Sequence, residues 1–261
     1  MIFDLNHPKE QRLVQIIQTT NPLAIAFSGG IDSSYLLFMA VNAIGKDNVI
    51  AITAQGPLFS PFETRHIQPI INQLKVNHQV FELNAMSCEP FVQNPPDRCY
   101  HCKKMVFSSI RGIADAFNTQ HIAHGANLDD LNDYRPGSKA ACEYHILSPL
   151  VSAQISKSDI QMLAKKHQLQ NWNQPAMACL ATRIPYHSTI TLEKLDMIRR
   201  AENILYEMGI FGARVRHIDG NAKIEVRQKQ LMALFTKDNM DSIHDQLTDI
   251  GFKRVAGPYL I

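Results

Sequence analysis

Four groups of residues have types and spacings that suit chemistry. Ser28-Gly29-Gly30-Ile31-Asp32-Ser33-Ser34 combines two glycines, three serines and a carboxylate in seven positions. Glycines let a backbone turn without a Cβ clash and present successive N–H groups to an anion. A helix starting beside them adds its positive dipole end and its unpaired N–H donors, so the stretch reads as a pyrophosphate cradle. No Gly-Lys-Ser/Thr follows, which sets it apart from a Walker A loop. Asp129, Asp130 and Asp133 stand close to Arg135. Such carboxylates can hold Mg²⁺ together with phosphate oxygens, and a solvated acidic loop is the plain alternative. Cys99 and Cys102 fit half a zinc site, a redox pair or half an iron–sulfur site, with Cys179 a third sulfur. Three thiolates can hold a [4Fe-4S] cluster and leave one iron open to an outside ligand such as sulfide. Zinc needs a fourth ligand, for which His124 is a candidate, and reduced thiols without a shared role are the plain reading. Arg214 and Arg216 fall on one face of a strand, where two guanidinium groups suit a phosphate or carboxylate. Glu225 on a neighbouring strand can orient one of them, although charged hairpins are common on any surface.

The elements that position these residues follow from hydrophobic period. Leu13, Ile16 and Ile17 predict a short helix over 7–19. Leu23–Phe27 predicts a strand into the cradle and Tyr35–Val41 a helix out of it. Val49–Ala54 predicts a second buried strand; its carboxyl end, with Thr53, is the place for adenine and ribose, since ligands of open α/β sheets sit beyond strand carboxyl ends. Residues 61–74 read as a helix and 79–83 as a third strand, and this alternation implies parallel pairing with right-handed crossovers. The prolines of the polar connection 84–98 predict no helix before about residue 99. A helix with Val106, Ile110, Ile113, Ala114 and Phe117 inward follows. The strand His121–His124 then opens into the aspartate loop. A helix is predicted over Ser156–His167, and Gln170–Pro185 has few cues and reads as a linker or wall. Beyond it come a helix over Thr191–Met208 with Leu192, Leu195, Ile198, Ile204 and Leu205 inward, strands at 213–218 and 222–227 across the turn Asp219-Gly220-Asn221, a helix over 238–249 and a strand at 252–256. Cys88 and Cys142 have no chemical context and read as structural, buried thiols.

The 261 residues, 45% hydrophobic and 19% charged, are enough for one large core or two domains. With 26 basic and 24 acidic side chains, the net charge of +2 gives no general attraction to a polyanion, so nucleic acid is not an expected partner. No run of 18 apolar residues occurs and Met1-Ile2-Phe3-Asp4 has no basic leader, so the expectation is a cytoplasmic protein without membrane contact. Five cysteines, an odd number, argue for thiols, metal or catalysis over a disulfide framework.

Ser-Gly-Gly-x-Asp-Ser resembles the PP-loop of ATP pyrophosphatases, which cleave ATP between its α and β phosphates and leave AMP on a substrate oxygen. Further motifs are Arg98-Cys99-Tyr100-x-Cys102-Lys103, Gly125-x-Asn127-x-Asp129-Asp130 through Asp133-Tyr134-Arg135-Pro136-Gly137, Cys179-Leu180-Ala181-x-Arg183-Ile184-Pro185-Tyr186, and Arg214-Val215-Arg216 with Ile224-Glu225-Val226. Together they resemble the LarE-type sulfur transferases, PP-loop enzymes that make the nickel-pincer nucleotide cofactor. Thr182 stands where that family has serine and His187 where it has glycine, and the next acid after Glu225 is Asp238. The resemblance implies an α/β fold: a parallel-sheet PP-loop domain (adenine nucleotide α-hydrolase-like) over 1–178, then a small α+β substrate-binding or oligomerisation domain over 179–261. It implies that ATP adenylates a carboxylate of a pyridinium mononucleotide, which sulfur then converts to a thiocarboxylate. Ser28, Gly29, Gly30, Asp32, Ser33, Ser34, Thr53, Gly125 and Asn127 are the expected nucleotide ligands, and Asp32, Asp129 and Asp130 the Mg²⁺ ligands. By the same resemblance Cys99, Cys102 and Cys179 are the expected iron–sulfur ligands, Cys179, Asp32, Asp129 and Arg183 the expected catalytic residues, and Arg214, Arg216 and Glu225 the expected holders of the substrate phosphate. The expected partners are this small nucleotide, sulfide or another sulfur donor, and further copies of the chain in a homo-oligomer. Rival readings are a tRNA thiolase, an amidating ligase of the NAD- or GMP-synthetase sort with structural zinc, and a nucleotide-binding module without activity.

Overall fold

The structure, a computed structural model, describes residues 7–60, 64–133, 135–174, 178–228 and 237–260. Tyr134 and Pro175–Met177 of the motifs, and residues 61–63 of the expected third helix, lie outside them. The chain divides into two units: Met1–Gly56, Pro61–Asn84 and Asp97–Ala176 form the first, and Pro57–Ser60, Ala85–Pro96 and Met177–Ile261 the second.

The first unit is built on β1 (Leu23–Ala26), whose first three residues are fully buried. It pairs in parallel with β2 (Val49–Gln55) on one side and β4 (His121–His124) on the other, and β3 (Asn77–Glu82) pairs in parallel with β2, giving the order β3-β2-β1-β4. Strands covered on both faces read as continuous apolar runs, as β1 does, whereas the edge strand β3 is polar, which blunts its unpaired backbone. α2 (Ile31–Ile44) buries Ile31 and everything from Ser33 to Ala40; a helix apolar nearly all round belongs in a core. α1 (Pro8–Gln18) packs on α2 through Leu13 and Ile17. Its Glu10, fully buried, accepts from the Tyr35 hydroxyl at 3.1 Å and lies 2.6 Å from His167 Nε2. α3 (Ile67–Leu74) precedes β3, α5 (Arg98–Ala116) precedes β4, and the short helices α6 (Gly137–Glu143) and α7 (Pro149–Ser152) follow it.

α8 (Lys157–Lys166) begins at a capping box, in which Ser156 Oγ accepts from Asp159 N and Asp159 Oδ2 accepts from Ser156 N at 2.8 Å. Burial works to raise the Asp159 pKa, but hydrogen bonds from Lys9 and from the Ser156 backbone and hydroxyl outweigh it and hold the carboxyl down at about 2. A depressed carboxyl contributes stability that is present above its unfolded value near 4 and is lost as pH falls through 2. Asp159→Asn is therefore expected to be about 1 kcal/mol less stable than the wild type at neutral pH. The gap should close between pH 4 and 2 in urea unfolding series; a gap independent of pH would show that the charge is not what caps the helix.

In the second unit, β5 (Arg214–Ile218) and β6 (Asn221–Val226) form an antiparallel hairpin, with β7 (Val255–Leu260) parallel to β6 on its other side. Asp219 and Gly220, at φ 49° and 85°, are the two left-handed residues a tight hairpin of this hand requires. Val215, Ala222, Ile224 and Val226 pack with Met197, Ala201 and Leu205 of α9 (Leu192–Glu207) and with Ile243 and Leu247 of α10 (Lys237–Ile250). Alternation leaves Arg214 and Arg216 together on the half-exposed face of β5.

Several expectations are corrected. A short helix, α4 (Glu89–Val92), forms within the stretch expected to lack one, because Pro90 sits in its first turn, where no N–H is needed. α5 buries Phe107 but ends at Ala116, so Phe117 caps it and is 41% exposed, and α9 leaves Leu192 56% exposed at its first position. The last strand is Val255–Leu260; Phe252 is instead a core residue closing the end of α10. Cys142 is exposed and Cys88 half-buried. His187, where the resembled family has glycine, has φ 65°, a backbone glycine adopts without strain. None of the described helices is long and apolar enough to cross a membrane.

Candidate active site

Strand order places the site of the first unit. From β1 the sheet grows through β2 and β3 on one side and β4 on the other, so the crevice lies beyond the carboxyl ends of β1 and β4. The cradle leaves one and the aspartate loop leaves the other. They touch at Gly125, where an added Cβ would lie 2.7 Å from Ser33 N and 3.0 Å from Asp32 C. Gly29 turns at φ 78° and Gly30 is the N-cap of α2. The hydroxyls of Ser33 and Ser34 do not point outward; both donate to the Gly30 carbonyl, at 3.0 and 2.9 Å, and Ser28 Oγ lies 3.1 Å from Ser33 Oγ. These serines brace the loop, and its peptide N–H groups are what remain for an anion. Thr53 is likewise a brace: it is buried, donates to the Phe27 carbonyl at 2.8 Å and meets His78 Nε2 at 2.9 Å.

Both Asp32 oxygens are bonded by Lys157 Nζ, at 2.8 and 2.6 Å, while the Lys157 backbone N–H donates to Asp129 Oδ2 at 2.8 Å. Lys157 thus links the two carboxylates, and no motif points to it; its one mark is its place directly after the cap residue Ser156. Asp130 is used within its own loop. It accepts from Asn127 N and from Arg135 at 2.8 Å, while Asn127 Oδ1 accepts from Asp129 N and Asp133 takes the other side of Arg135. Burial, followed by the cations of Lys103 and Arg135, pushes His124 down to about 3, so its ring is neutral against Ser148 Oγ at 2.9 Å. Cys99 and Cys102 lie one turn apart at the start of α5, the first exposed and the second half-buried. No disulfide joins any of the five cysteines.

In the second unit, Cys179 opens a 3₁₀ turn over Leu180–Arg183. Arg183, 5% exposed, makes a bidentate pair with Glu202 at 2.8 and 3.2 Å and donates through Nη1 to the Ala178 carbonyl at 2.6 Å. Glu202 Oε1 also accepts from Val215 N at 3.0 Å, which ties the turn to β5. Glu202 was not singled out in the sequence, although a glutamate among Ile198, Ala201 and Leu205 interrupts an apolar stripe. Arg216 reaches the same turn, donating to the Thr182 carbonyl at 3.2 Å and to Glu225 at 2.7 Å. Burial works to raise the Glu225 pKa, but bonds from Arg216 and Lys223 bring it below the usual value. The backbone of Arg214 pairs with Glu225 in the hairpin, but its guanidinium makes no hydrogen bond among the described residues. Its pKa is lowered by burial and by the neighbouring Arg183 and Arg216 cations, so an anion there would be welcome. Among the described residues, no group of three or more His, Cys, Asp or Glu side chains is gathered so as to hold a metal ion.

The parallel sheet with a glycine–serine cradle at its switch point defines a PP-loop enzyme of the ATP pyrophosphatase type. Residues 11–98 match the NAD synthase family, and an NH₃-dependent NAD⁺ synthetase of Fusobacterium nucleatum is 32% identical over 62 residues, 24% of either chain. Over 95% of its length the chain is 33% identical to the pyridinium-3,5-bisthiocarboxylic acid mononucleotide synthase of Lactiplantibacillus plantarum, covering 89% of that protein. It is equally similar to an uncharacterized Synechocystis protein, covering 92% of it. The chain belongs to the LarE-type family of ATP-dependent sulfur transferases. It is an adenylate-forming enzyme.

Proposed function

We propose that the enzyme adenylates a carboxylate of a pyridinium mononucleotide and converts it to a thiocarboxylate, with sulfur from sulfide carried on a [4Fe-4S] cluster bound by Cys99, Cys102 and Cys179. The substrate class is supported by the name of the Lactiplantibacillus relative, matched across nearly its whole length. The observation that carries the sulfur-transfer reading is the turn at Cys179, fixed by two arginines, with Arg214, whose guanidinium makes no hydrogen bond among the described residues, alongside Arg216 on β5.

A carboxylate oxygen attacks the α-phosphorus of ATP, and the bond to the β-phosphate oxygen breaks with release of pyrophosphate. Peptide N–H groups of Gly29–Asp32 and the start of α2 hold the pyrophosphate, and Lys157 brings a cation to the same charge. A sulfur nucleophile then adds to the acyl carbon, AMP leaves, and the carbonyl re-forms as a thiocarboxylate. Arg214 and Arg216 bind the substrate phosphate, and Glu225 holds Arg216 in place. Arg183 keeps the Cys179 turn in shape. Asp32, Asp129 and Asp130 are hard oxygen donors suited to Mg²⁺, which when bound would neutralise phosphate charge; Lys157 already bonds both Asp32 oxygens and Asp130 is bonded twice, so Asp129, bonded through Oδ2 alone among the described residues, is the most available of the three. Three cysteines outside any disulfide are a donor set suited to iron; Cys99, Cys102 and Cys179 would hold the cluster, which would supply an open iron for sulfide.

An amidating ligase is favoured by the NAD synthase match, but that match ends at residue 98, before the first of these cysteines. Iron, sulfide and zinc content after anaerobic purification, with the visible spectrum, tests the proposal. About four irons per chain with broad brown absorbance, lost in Cys179→Ala, is the expected result. Zinc in place of iron would move the assignment to the ligase. Metal-free protein with Cys179 converted to dehydroalanine in turnover would make that residue itself the sulfur source.

A further inference from the structure

Asn171 belongs to none of the motifs, yet it is 1% exposed and bonded directly to the cradle. Its Nδ2 donates to the Gly29 carbonyl at 2.9 Å and to Ser34 Oγ at 2.9 Å, and Ser34 Oγ in turn donates to the Gly30 carbonyl at 2.9 Å. The amide can face only one way, because a carbonyl only accepts. In that orientation Asn171 Oδ1 is buried with no partner among the described residues. A buried acceptor without a donor is unfavourable for folding by itself, so this one calls for a reason.

The reason lies in the geometry of the peptide unit. In a trans peptide the C=O and N–H point in opposite directions. With the carbonyls of Gly29 and Gly30 both tied to the side of Asn171 and Ser34, the N–H groups of Gly30 and Ile31 are turned to the other side. Gly29, at φ 78°, makes the reversal possible. The Gly30 N–H has only a long contact, 3.4 Å to Ser28 Oγ, which an anion can replace. We infer that Asn171 is a positioning residue that aims two consecutive peptide N–H groups of the loop at the pyrophosphate of ATP. This rests on the reading of Gly29–Asp32 as the pyrophosphate site, and it adds a residue to that site from a segment remote in sequence.

Asn171→Leu keeps the volume and removes both donors; Asn171→Asp keeps the shape and sets an acceptor against the Gly29 carbonyl. Binding of inorganic pyrophosphate and of AMP to the full chain is measured by titration calorimetry, with the thermal midpoint as a control. The wild type is expected to bind both. Each variant is expected to lose roughly tenfold to a hundredfold in pyrophosphate affinity and to keep its AMP affinity. Pyrophosphate affinity unchanged in a folded variant, or an equal loss for both ligands, would overturn the inference. Should leucine prevent folding, Asn171→Ala gives the same comparison. A wild type that binds AMP but not pyrophosphate would overturn the reading of the loop itself, a failure distinct from that of Asn171.

Discussion

Gly125→Ala is expected to abolish ATP-dependent pyrophosphate release and to destabilise the first unit by about 2–3 kcal/mol. The new methyl group would meet Ser33 N at 2.7 Å and Asp32 C and Ser33 Cα at 3.0 Å, all of them backbone atoms. Flexible side chains can turn away from such a contact, but here either the end of β4 or the first turn of α2 must move. That first turn carries the peptide N–H groups of the cradle and the carboxylate that Lys157 holds, so displacing it disturbs the proposed anion site and the Asp32 pair at once. Gly112→Ala is the matched control: it lies within α5, a Cβ there meets nothing within 4 Å, and better helix propensity should stabilise it by about 0.5–1 kcal/mol with release unchanged. Urea unfolding and a pyrophosphate assay on both proteins check this. A Gly125→Ala enzyme of wild-type stability and rate would mean that the close approach of the two loops is not needed.

How much of this was legible in the sequence depends on how local each feature is. The cradle, the alternating strands and the paired arginines are patterns of neighbouring residues, and the described strands follow them to within a few residues. Pro90 misled because its ring blocks a helix interior but not a helix start, and the two cases look alike in a polar stretch. Lys157, Asn171 and Glu202 were missed for a different reason. Each is an ordinary residue type, and its role comes from a partner more than a dozen residues away: Asp32, the Gly29 carbonyl, Arg183. Conversely, Thr53, Ser33 and Ser34 were picked out as nucleotide ligands, and the structure shows their hydroxyls bonded to loop carbonyls. Residue type gives the chemistry a side chain can do, but the direction of a hydroxyl is set by the fold.

Glu202→Ala is expected to destabilise the second unit by about 3–5 kcal/mol, far more than Glu225→Ala, although both remove a buried glutamate paired with arginine. The difference lies in what each leaves behind. Without Glu202, the buried side chain of Arg183 loses its counter-ion, and Val215 N loses its acceptor. Without Glu225, Arg216 and Lys223, 36% and 38% exposed, can turn to water, so the loss should be about 1 kcal/mol. A double substitution separates stability from positioning. Arg183→Met with Glu202→Leu removes both charges for apolar side chains, which is often neutral for folding, and should recover most of the lost stability. It also removes the bond from Arg183 to the Ala178 carbonyl, so the turn at Cys179 is expected to loosen and sulfur transfer to fall. Urea midpoints read the first effect, and the labelling rate of Cys179 by a thiol reagent in the folded protein reads the second. Wild-type transfer by the double variant would show that the pair serves stability alone and that the Cys179 turn holds its shape without Arg183.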